Sequence, residues 1–166
     1  MKRKQSKWPE LRGIDDKDPE YRRVLRNLSP AYWLINKVAT CKARAKKLGV
    51  PFNLTRDYLL KMMGYKYGDY WNRGEERCPA LGEPYDFYGE GHGGKPLSKS
   101  LDRIIPEKGY VKGNVRFIAR KTNGVLLDTT PEELLQIAVW RLKEDVNLIK
   151  NKERIKELLK DATNFI

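Results

Sequence analysis

Residues 100–123 read SLDRIIPEKGYVKGNVRFIARKTN, and this stretch contains the pattern that decides the fold. Residues 100–105 follow the two-residue alternation of a β-strand, and Pro106 ends that pattern. Residues 107–113 include two glycines that can turn the chain, and residues 114–119 supply a return strand. The stretch therefore predicts a β-hairpin, followed at residues 120–127 by one or two helical turns.

Two helices are predicted before the hairpin. Ser29 and Pro30 can cap and open a helix that Gly49 ends. A shorter helix follows between Thr55, a good capping residue, and Gly64. From there to the hairpin the chain is rich in glycine and aromatic residues, which predicts loops around short strands.

Helices are also predicted after the hairpin. Residues 130–133 read TPEE, a capping box with proline at the first helical position. Residues 148–159 carry an apolar stripe on a terminal helix, which we expect to pack within its own chain, so that the protein is a monomer rather than a dimer. The predicted fold class is α+β, a small hairpin-plus-helix centre with N-terminal and C-terminal helices.

Length and composition limit the domain organisation. The 166 residues, 40% of them apolar, suffice for one modest core and are too few for two full-sized domains. We expect a basic, weakly ordered arm at residues 1–28, a main domain at residues 29–142 and a helical extension at residues 143–166. The longest apolar run falls far short of the roughly 18 residues of a membrane span, and no apolar segment follows the charged N-terminus. We therefore expect a cytoplasmic protein with no membrane partner.

Cys41 and Cys78 are the two cysteines of the chain. Neither lies in a CxxC or Cys/His spacing, so no structural zinc is expected, and two thiols cannot form a disulfide framework. Each is predicted to be a small buried apolar group, which suits a reducing cytosol.

Positive charge is the strongest signal in the composition. The net charge is +12, and residues 1–50 hold 14 Lys and Arg against 5 Asp and Glu. A second cluster of 6 basic residues lies between Arg103 and Lys121. Such patches bind phosphate backbones through counterion release, which favours double-stranded DNA as the partner, although a merely solvated surface would give the same pattern. The candidate DNA-binding residues are Lys42, Arg44, Lys46, Lys47, Lys108, Lys112, Arg116, Arg120 and Lys121.

Two oxygen-bearing side chains fall at positions that the hairpin-plus-helix pattern can bring together. Asp102 lies at the end of the first strand, and Asn123 lies 21 residues later in the helical segment. Carboxylate and amide oxygens are hard donors that suit Mg²⁺, for which Mn²⁺ can substitute, and such an ion supports phosphodiester cleavage.

The ordered motifs LDRIIP and GYVKGNV, followed by an asparagine, resemble the signature of HNH endonucleases, whose ββα-metal fold surrounds one divalent ion. They are still more similar to a branch of small phage-type and free-standing homing-type HNH proteins that read SLDRI, GYV, GNV and N. Upstream, RAKKLGVPFNLTRDYL and CPALG also resemble segments of that branch. The resemblance covers residues 31–142, and it implies an HNH-type nuclease domain with its ββα-metal core at residues 98–127.

The resemblance implies roles for three residues. Asp102 matches the aspartate or histidine that binds the metal, and Asn123 matches the last motif position, which also ligates it. Asn114 matches the middle asparagine, which in the family ties the hairpin loop together through backbone hydrogen bonds and so orients the catalytic residues.

The chain departs from the general HNH pattern at Arg103, where the family has the histidine that activates water. Arginine stays protonated and has no acceptor lone pair, so it cannot be the base, although it could bind the scissile phosphate. His92, the one histidine of the chain, is the candidate general base, since an unperturbed imidazole has a pKa of about 6.5. Glu90, Glu107 and bulk hydroxide are the alternatives.

These observations predict an Mg²⁺-dependent DNA endonuclease with a single-metal HNH-type site, working in the host cytoplasm if a phage encodes it. The alternative is a catalytically inactive HNH-like protein that binds DNA, because arginine occupies the position of the base. A basic RNA-associated structural protein is a third interpretation.

Overall fold

The computed structural model describes residues 9–11, 15–72, 75–86, 94–127, 129–144 and 152–163. The chain forms two compact units, Met1–Val125 and Leu126–Ile166. Within the described residues there are six α-helices and one two-stranded antiparallel sheet, so the predicted α+β class is confirmed. The elements are α1 (Pro19–Leu28), α2 (Pro30–Leu48), α3 (Arg56–Met62), β1 (Lys99–Arg103), β2 (Val115–Ala119), α4 (Arg120–Leu126), α5 (Pro131–Glu144) and α6 (Lys152–Thr163), with 3-10 turns at Pro9–Leu11 and Pro106–Lys108.

Helix α1 corrects the prediction of a weakly ordered arm at residues 1–28. Asp18 caps this helix by accepting a 2.8 Å hydrogen bond from the Glu20 N–H, and Pro19 occupies its first turn. Leu25 is buried against Leu11, so the helix has a small apolar core of its own. Residues 1–8 and 12–14 lie outside the described part of the chain.

Helices α2 and α3 build the main core of the first unit. Gly49 ends α2 in the left-handed conformation with φ of 67°, and Thr55 caps α3 by accepting a hydrogen bond from the Tyr58 N–H, as predicted. Leu34 and Leu59 are fully buried in this core together with Leu101 of the hairpin. Leu101 of β1 thus belongs to the same hydrophobic cluster as residues of both helices.

The hairpin is formed by β1 and β2, with Asp102 paired to Arg116 across the two strands. The loop between the strands docks on the segment before α3. The Tyr110 N–H donates to Pro51 O at 2.9 Å, and the Asn53 N–H donates to Tyr110 O at 3.1 Å. Gly109, with φ of 72°, packs so closely on Pro51 that a side chain there would clash with the backbone. The loop is therefore held at a defined position.

The second unit contains α5 and α6, and it begins earlier than predicted. The units divide after Val125, whereas the sequence was expected to keep α5 in the main domain up to residue 142. Within the second unit, no residue of α5 is buried. The predicted capping box is present, because the Thr130 N–H donates to Glu133 Oε2 at 2.7 Å and the Glu133 N–H donates to Thr130 Oγ1 at 3.2 Å.

Two further expectations concern packing and membranes. Leu158 and Leu159 of α6 are exposed, and Leu148 and Ile149 of the terminal apolar stripe lie outside the described residues, so its internal packing stays a prediction. Across the described ranges, no helix is long and apolar enough to cross a membrane.

Candidate functional site

The two faces of β1 carry different chemistry because side chains alternate along a strand. Lys99 and Leu101 are buried on one face. Ser100 and Asp102 share the other face, and α4 lies over it, because Asn123 Nδ2 donates to Ser100 Oγ at 2.9 Å. The same amide nitrogen lies 3.4 Å from Leu101 O. The strand and the helix thus bring Asn123 to the part of β1 that carries Asp102.

Asp102 is paired with its cross-strand neighbour. Arg116 Nε donates to Asp102 Oδ2 at 2.8 Å, and the carboxylate side chain is 12% exposed while the arginine side chain is 46% exposed. Among the described residues, no donor occupies Asp102 Oδ1. The sequence placed Arg116 among the DNA-binding candidates but did not predict this pair.

The donor atoms at this position fit a hard divalent cation. Since the Asn123 nitrogen is directed to the backbone and hydroxyl of β1, its carbonyl oxygen is the atom left to ligate an ion. Asp102 offers a carboxylate oxygen, and Mg²⁺ commonly takes one or two protein ligands and completes its shell with water and phosphate. No group of three or more His, Cys, Asp or Glu side chains is present in the part of the chain that the structure describes. That Asp102 and Asn123 hold Mg²⁺ or Mn²⁺ stays a prediction.

Asn114 holds the hairpin loop together from within. Its Oδ1 accepts a 3.0 Å hydrogen bond from the Ile105 N–H, and its Nδ2 donates to Ile105 O and to Gly109 O, each at 2.8 Å. The residue is 5% exposed. This is the backbone bonding that the HNH resemblance implies for Asn114, whereas its contribution to catalysis stays a prediction.

Arg103 is engaged away from Asp102. It follows Asp102 in β1 and therefore lies on the opposite face, where its Nη1 donates to Pro106 O at 3.0 Å. Its guanidinium carbon lies 5.2 Å from the ring centroid of Tyr110. These contacts favour a structural role in the loop over the predicted contact with the scissile phosphate.

Of the three side chains proposed as the general base, the structure describes one. His92 and Glu90 lie within residues 87–93, which are outside the described part of the chain. Glu107 lies exposed in the 3-10 turn Pro106–Lys108. The identity of the base therefore stays a prediction.

The predicted DNA-binding residues are exposed, as a phosphate-binding role requires. Four of them lie at the C-terminal half of α2, where Ala45 and Cys41 face the core and the lysines face outward. Arg120 Nη1 donates to Gly94 O at 3.1 Å, and the ammonium of Lys112 lies 5.9 Å from the Tyr58 ring centroid. Their contact with DNA stays a prediction.

Cys78 anchors the CPALG loop to the junction of β2 and α4. Its Sγ accepts a 3.2 Å hydrogen bond from the Ala119 N–H and lies 3.9 Å from Thr122 Oγ1. Burial raises the pKa of the Cys78 thiol. Hydrogen bonds from the N–H groups of Ala119, Ala80 and Leu81 lower it by more, so the pKa lies below its ordinary value. Both cysteines are buried, as predicted, and Cys78 additionally positions the start of the helix that carries Asn123.

A buried ion pair that the sequence did not reveal lies on the other face of β1. Lys99 pairs with Glu76, and these side chains are only 6% and 19% exposed. The Lys99 ammonium lies 4.7 Å from the ring centroid of Tyr85 and 5.3 Å from that of Trp71. Burial lowers the pKa of Lys99 to about 8.

Comparisons with known proteins give one informative match. No family model matches the chain, and no solved structure matches it. A stretch of 95 residues is 33% identical to a protein of Enterobacteria phage T4 named "Uncharacterized 29.0 kDa protein in dda-modA intergenic region". The match covers 57% of this chain and 32% of the T4 protein, so the chain matches about a third of that relative's length. The chain is thus similar to part of a phage protein whose name states no activity.

Proposed function

We propose that the chain is a DNA endonuclease of the HNH type that depends on Mg²⁺ or Mn²⁺. The observation that carries the proposal is the hydrogen bond from Asn123 Nδ2 to Ser100 Oγ, which sets α4 against the strand face that carries Asp102. A hairpin followed by a helix, with Asp102 and Asn123 as oxygen ligands between them, resembles a ββα-metal centre. The tie formed by Asn114 in the hairpin loop supports the same interpretation.

In this proposal each part of the chain has a separate task. Asp102 and Asn123 hold the ion, and Asn114 keeps the loop in the shape that orients Asp102. Mg²⁺, when bound, supplies positive charge that stabilises the phosphate and the departing 3′ oxygen. The lysines and arginines of α2 and of the hairpin hold the DNA backbone, and His92, Glu90, Glu107 or bulk hydroxide takes the proton of the attacking water.

A catalytically inactive DNA-binding protein is the second candidate. Two observations favour it: Arg103, at the position of the family's base, is bound to Pro106 O, and Asp102 is already paired with Arg116. In that case the exposed basic residues would bind duplex DNA and the carboxylate would serve only the fold.

The cellular setting follows from the same proposal. The T4 relative is a phage protein, which is consistent with work in the host cytoplasm. We propose double-stranded DNA as the partner and a monomer as the active form.

Plasmid cleavage separates these candidates. Purified protein is incubated with supercoiled plasmid in Mg²⁺ or in Mn²⁺, beside Asp102→Ala, Asn123→Ala and the control Glu157→Ala, whose carboxylate pairs with Arg154 on α6. The nuclease proposal predicts that wild type and the control convert the plasmid to nicked or linear forms, and that both site variants lose at least about 100-fold in rate. Circular dichroism checks that each variant is folded.

Two outcomes would contradict the proposal. If wild type leaves the plasmid intact in both ions across several pH values but retards it in a gel, the inactive DNA-binding candidate stands. If the site variants cut as fast as wild type, cleavage belongs to another site or to a contaminant.

A further inference from the structure

We infer that Arg116 is the phosphate-contacting residue of the candidate site, and that its ion pair with Asp102 is the arrangement that gives way when a divalent cation and DNA bind. This rests on the proposed nuclease function and adds a specific role to one residue of it.

The geometry of the pair leaves most of the guanidinium available. Arg116 donates to Asp102 through Nε, at 2.8 Å. Among the described residues, no acceptor engages its two Nη groups. The arginine side chain is 46% exposed, whereas the aspartate side chain is 12% exposed. Two parallel N–H groups of this kind match two oxygens of a phosphate.

The position of Arg116 is set by the hairpin. It lies directly opposite Asp102 in the antiparallel register, on the face of the sheet that α4 covers with Asn123. A phosphate that approaches an ion held by Asp102 and Asn123 would therefore meet this guanidinium first.

The other arginines of the hairpin region are committed elsewhere. Arg103 lies on the opposite face of β1, with Nη1 on Pro106 O and its guanidinium over Tyr110. Arg120 donates through Nη1 to Gly94 O. The phosphate contact that guanidinium chemistry suggested for Arg103 is thus assigned to Arg116 in this inference.

The ion pair also predicts that Arg116 opposes the binding of a divalent cation to Asp102. Arg116 holds Oδ2 of the carboxylate that would ligate a divalent cation, and its positive charge repels that cation, so the ion pair should weaken cation binding as long as DNA is absent. Because the arginine is half exposed, the pair is weak and can be broken by a modest competitor. Once DNA is present, the same arginine gains a phosphate partner and should accelerate cleavage.

The test uses Arg116→Ala, Arg116→Gln and the control Arg154→Ala, whose guanidinium forms an exposed ion pair with Glu157 at 3.1 Å. Mn²⁺ binding without DNA is measured by isothermal titration calorimetry, and plasmid cleavage is measured at saturating Mn²⁺. We expect Arg116→Ala to bind Mn²⁺ about two- to fivefold more tightly than wild type. We expect both Arg116 variants to cleave at least about tenfold more slowly, while the control matches wild type in both measurements.

The outcomes are distinguishable. If wild type cuts DNA and Arg116→Ala cuts equally fast or binds Mn²⁺ no more tightly, the inference is wrong and the nuclease proposal stands. If wild type does not cut, the nuclease proposal fails and the catalytic role of Arg116 fails with it. Should Arg116→Ala fail to fold, Arg116→Gln, which keeps an N–H donor near Asp102, decides the question by the same two readouts.

Discussion

Two ion pairs lie on opposite faces of the same hairpin, and their surroundings differ. Lys99 and Glu76 are almost fully enclosed, with the ammonium among the rings of Trp71 and Tyr85. Asp102 and Arg116 lie on the other face, and the arginine is half exposed. Enclosed charges cannot separate without a large desolvation cost, whereas a half-exposed pair exchanges its partners for water or ligand at little cost. The hairpin thus combines a fixed structural clamp with an exchangeable site.

The largest effect is expected from breaking the enclosed pair. Glu76→Ala should lower the free energy of unfolding by about 3 kcal/mol, because it leaves the buried Lys99 ammonium without its carboxylate. Urea denaturation measures the change, and Glu153→Ala, which removes an exposed partner of Lys156, should change stability by less than about 0.5 kcal/mol. Equal effects of the two variants would remove the distinction between the enclosed and the exposed pairs.

A double replacement sharpens the same point. Glu76→Leu together with Lys99→Met removes both charges and fills the site with apolar atoms. This variant should recover most of the stability that Glu76→Ala loses, because the desolvation cost disappears with the charges. A double variant as unstable as Glu76→Ala would show that the aromatic surround requires the ammonium.

An intermediate effect on stability is expected at the loop that connects β1 and β2. Asn114→Ala removes three hydrogen bonds to the backbone of Ile105 and Gly109 and should cost about 2 kcal/mol in urea denaturation. Asn114→Asp keeps the acceptor for the Ile105 N–H but loses both donated bonds, so it should not restore wild-type stability. Asn72→Ala, at an exposed position, is the matched control and should be near neutral. A near-neutral Asn114→Ala would contradict the assignment of Asn114 as the tie of the loop.

Arg116→Ala should have a small effect on the fold despite its effect on function. Removing one partner of a half-exposed pair should change the free energy of unfolding by less than about 1 kcal/mol. If Arg116→Ala cost as much stability as Glu76→Ala, the pair of Asp102 and Arg116 would also be structural. The proposed difference between the two ion pairs would then be wrong. Parallel urea curves of the two variants give the answer.

The smallest effect concerns a fully exposed interaction in the second unit. The hydrogen bond from the Thr130 N–H lowers the pKa of the Glu133 carboxyl below its ordinary value of 4.5, and the hydrogen bond of the Thr130 hydroxyl lowers it by a smaller amount. A lowered folded-state pKa means that this stabilisation is present above about pH 4.5 and is lost as the pH falls further. The stability difference between wild type and Glu133→Gln, followed by circular dichroism, should therefore shrink from pH 6 to pH 3. A difference that stays constant would show that the capping box does not depend on the charge.

Local signals in the sequence predicted most of the helices and strands. They could not predict contacts between residues that are far apart in the chain. The caps at Thr55 and Thr130 and the stop at Gly49 depend on neighbouring residues, and each was predicted at the right place. Helix α1 was missed although local signals were present, since Asp18 and Pro19 form a cap and first turn and Tyr21, Val24, Leu25 and Leu28 recur at helical spacing. The packing of Leu25 against Leu11 is the contact that no local pattern reports.

The candidate site shows the same limit. Asp102, Asn114 and Asn123 could be selected from the motif, but the pairing of Asp102 with Arg116 required the strand register. That register could not be deduced, because the connection between the strands contains a 3-10 turn and is docked on Pro51. The pair of Lys99 with Glu76 spans 23 residues across an irregular segment and leaves no periodic signal.

The central claim is that Asp102 and Asn123 share one divalent ion between the hairpin and α4. A crystal structure of the protein soaked with Mn²⁺, with the ion located by its anomalous scattering, tests it most directly. The account predicts one ion with an oxygen of Asp102 and the amide oxygen of Asn123 about 2.1–2.2 Å away, and with Arg116 displaced from the carboxylate. An ion bound elsewhere, or an intact pair of Asp102 and Arg116 at saturating Mn²⁺, would contradict it.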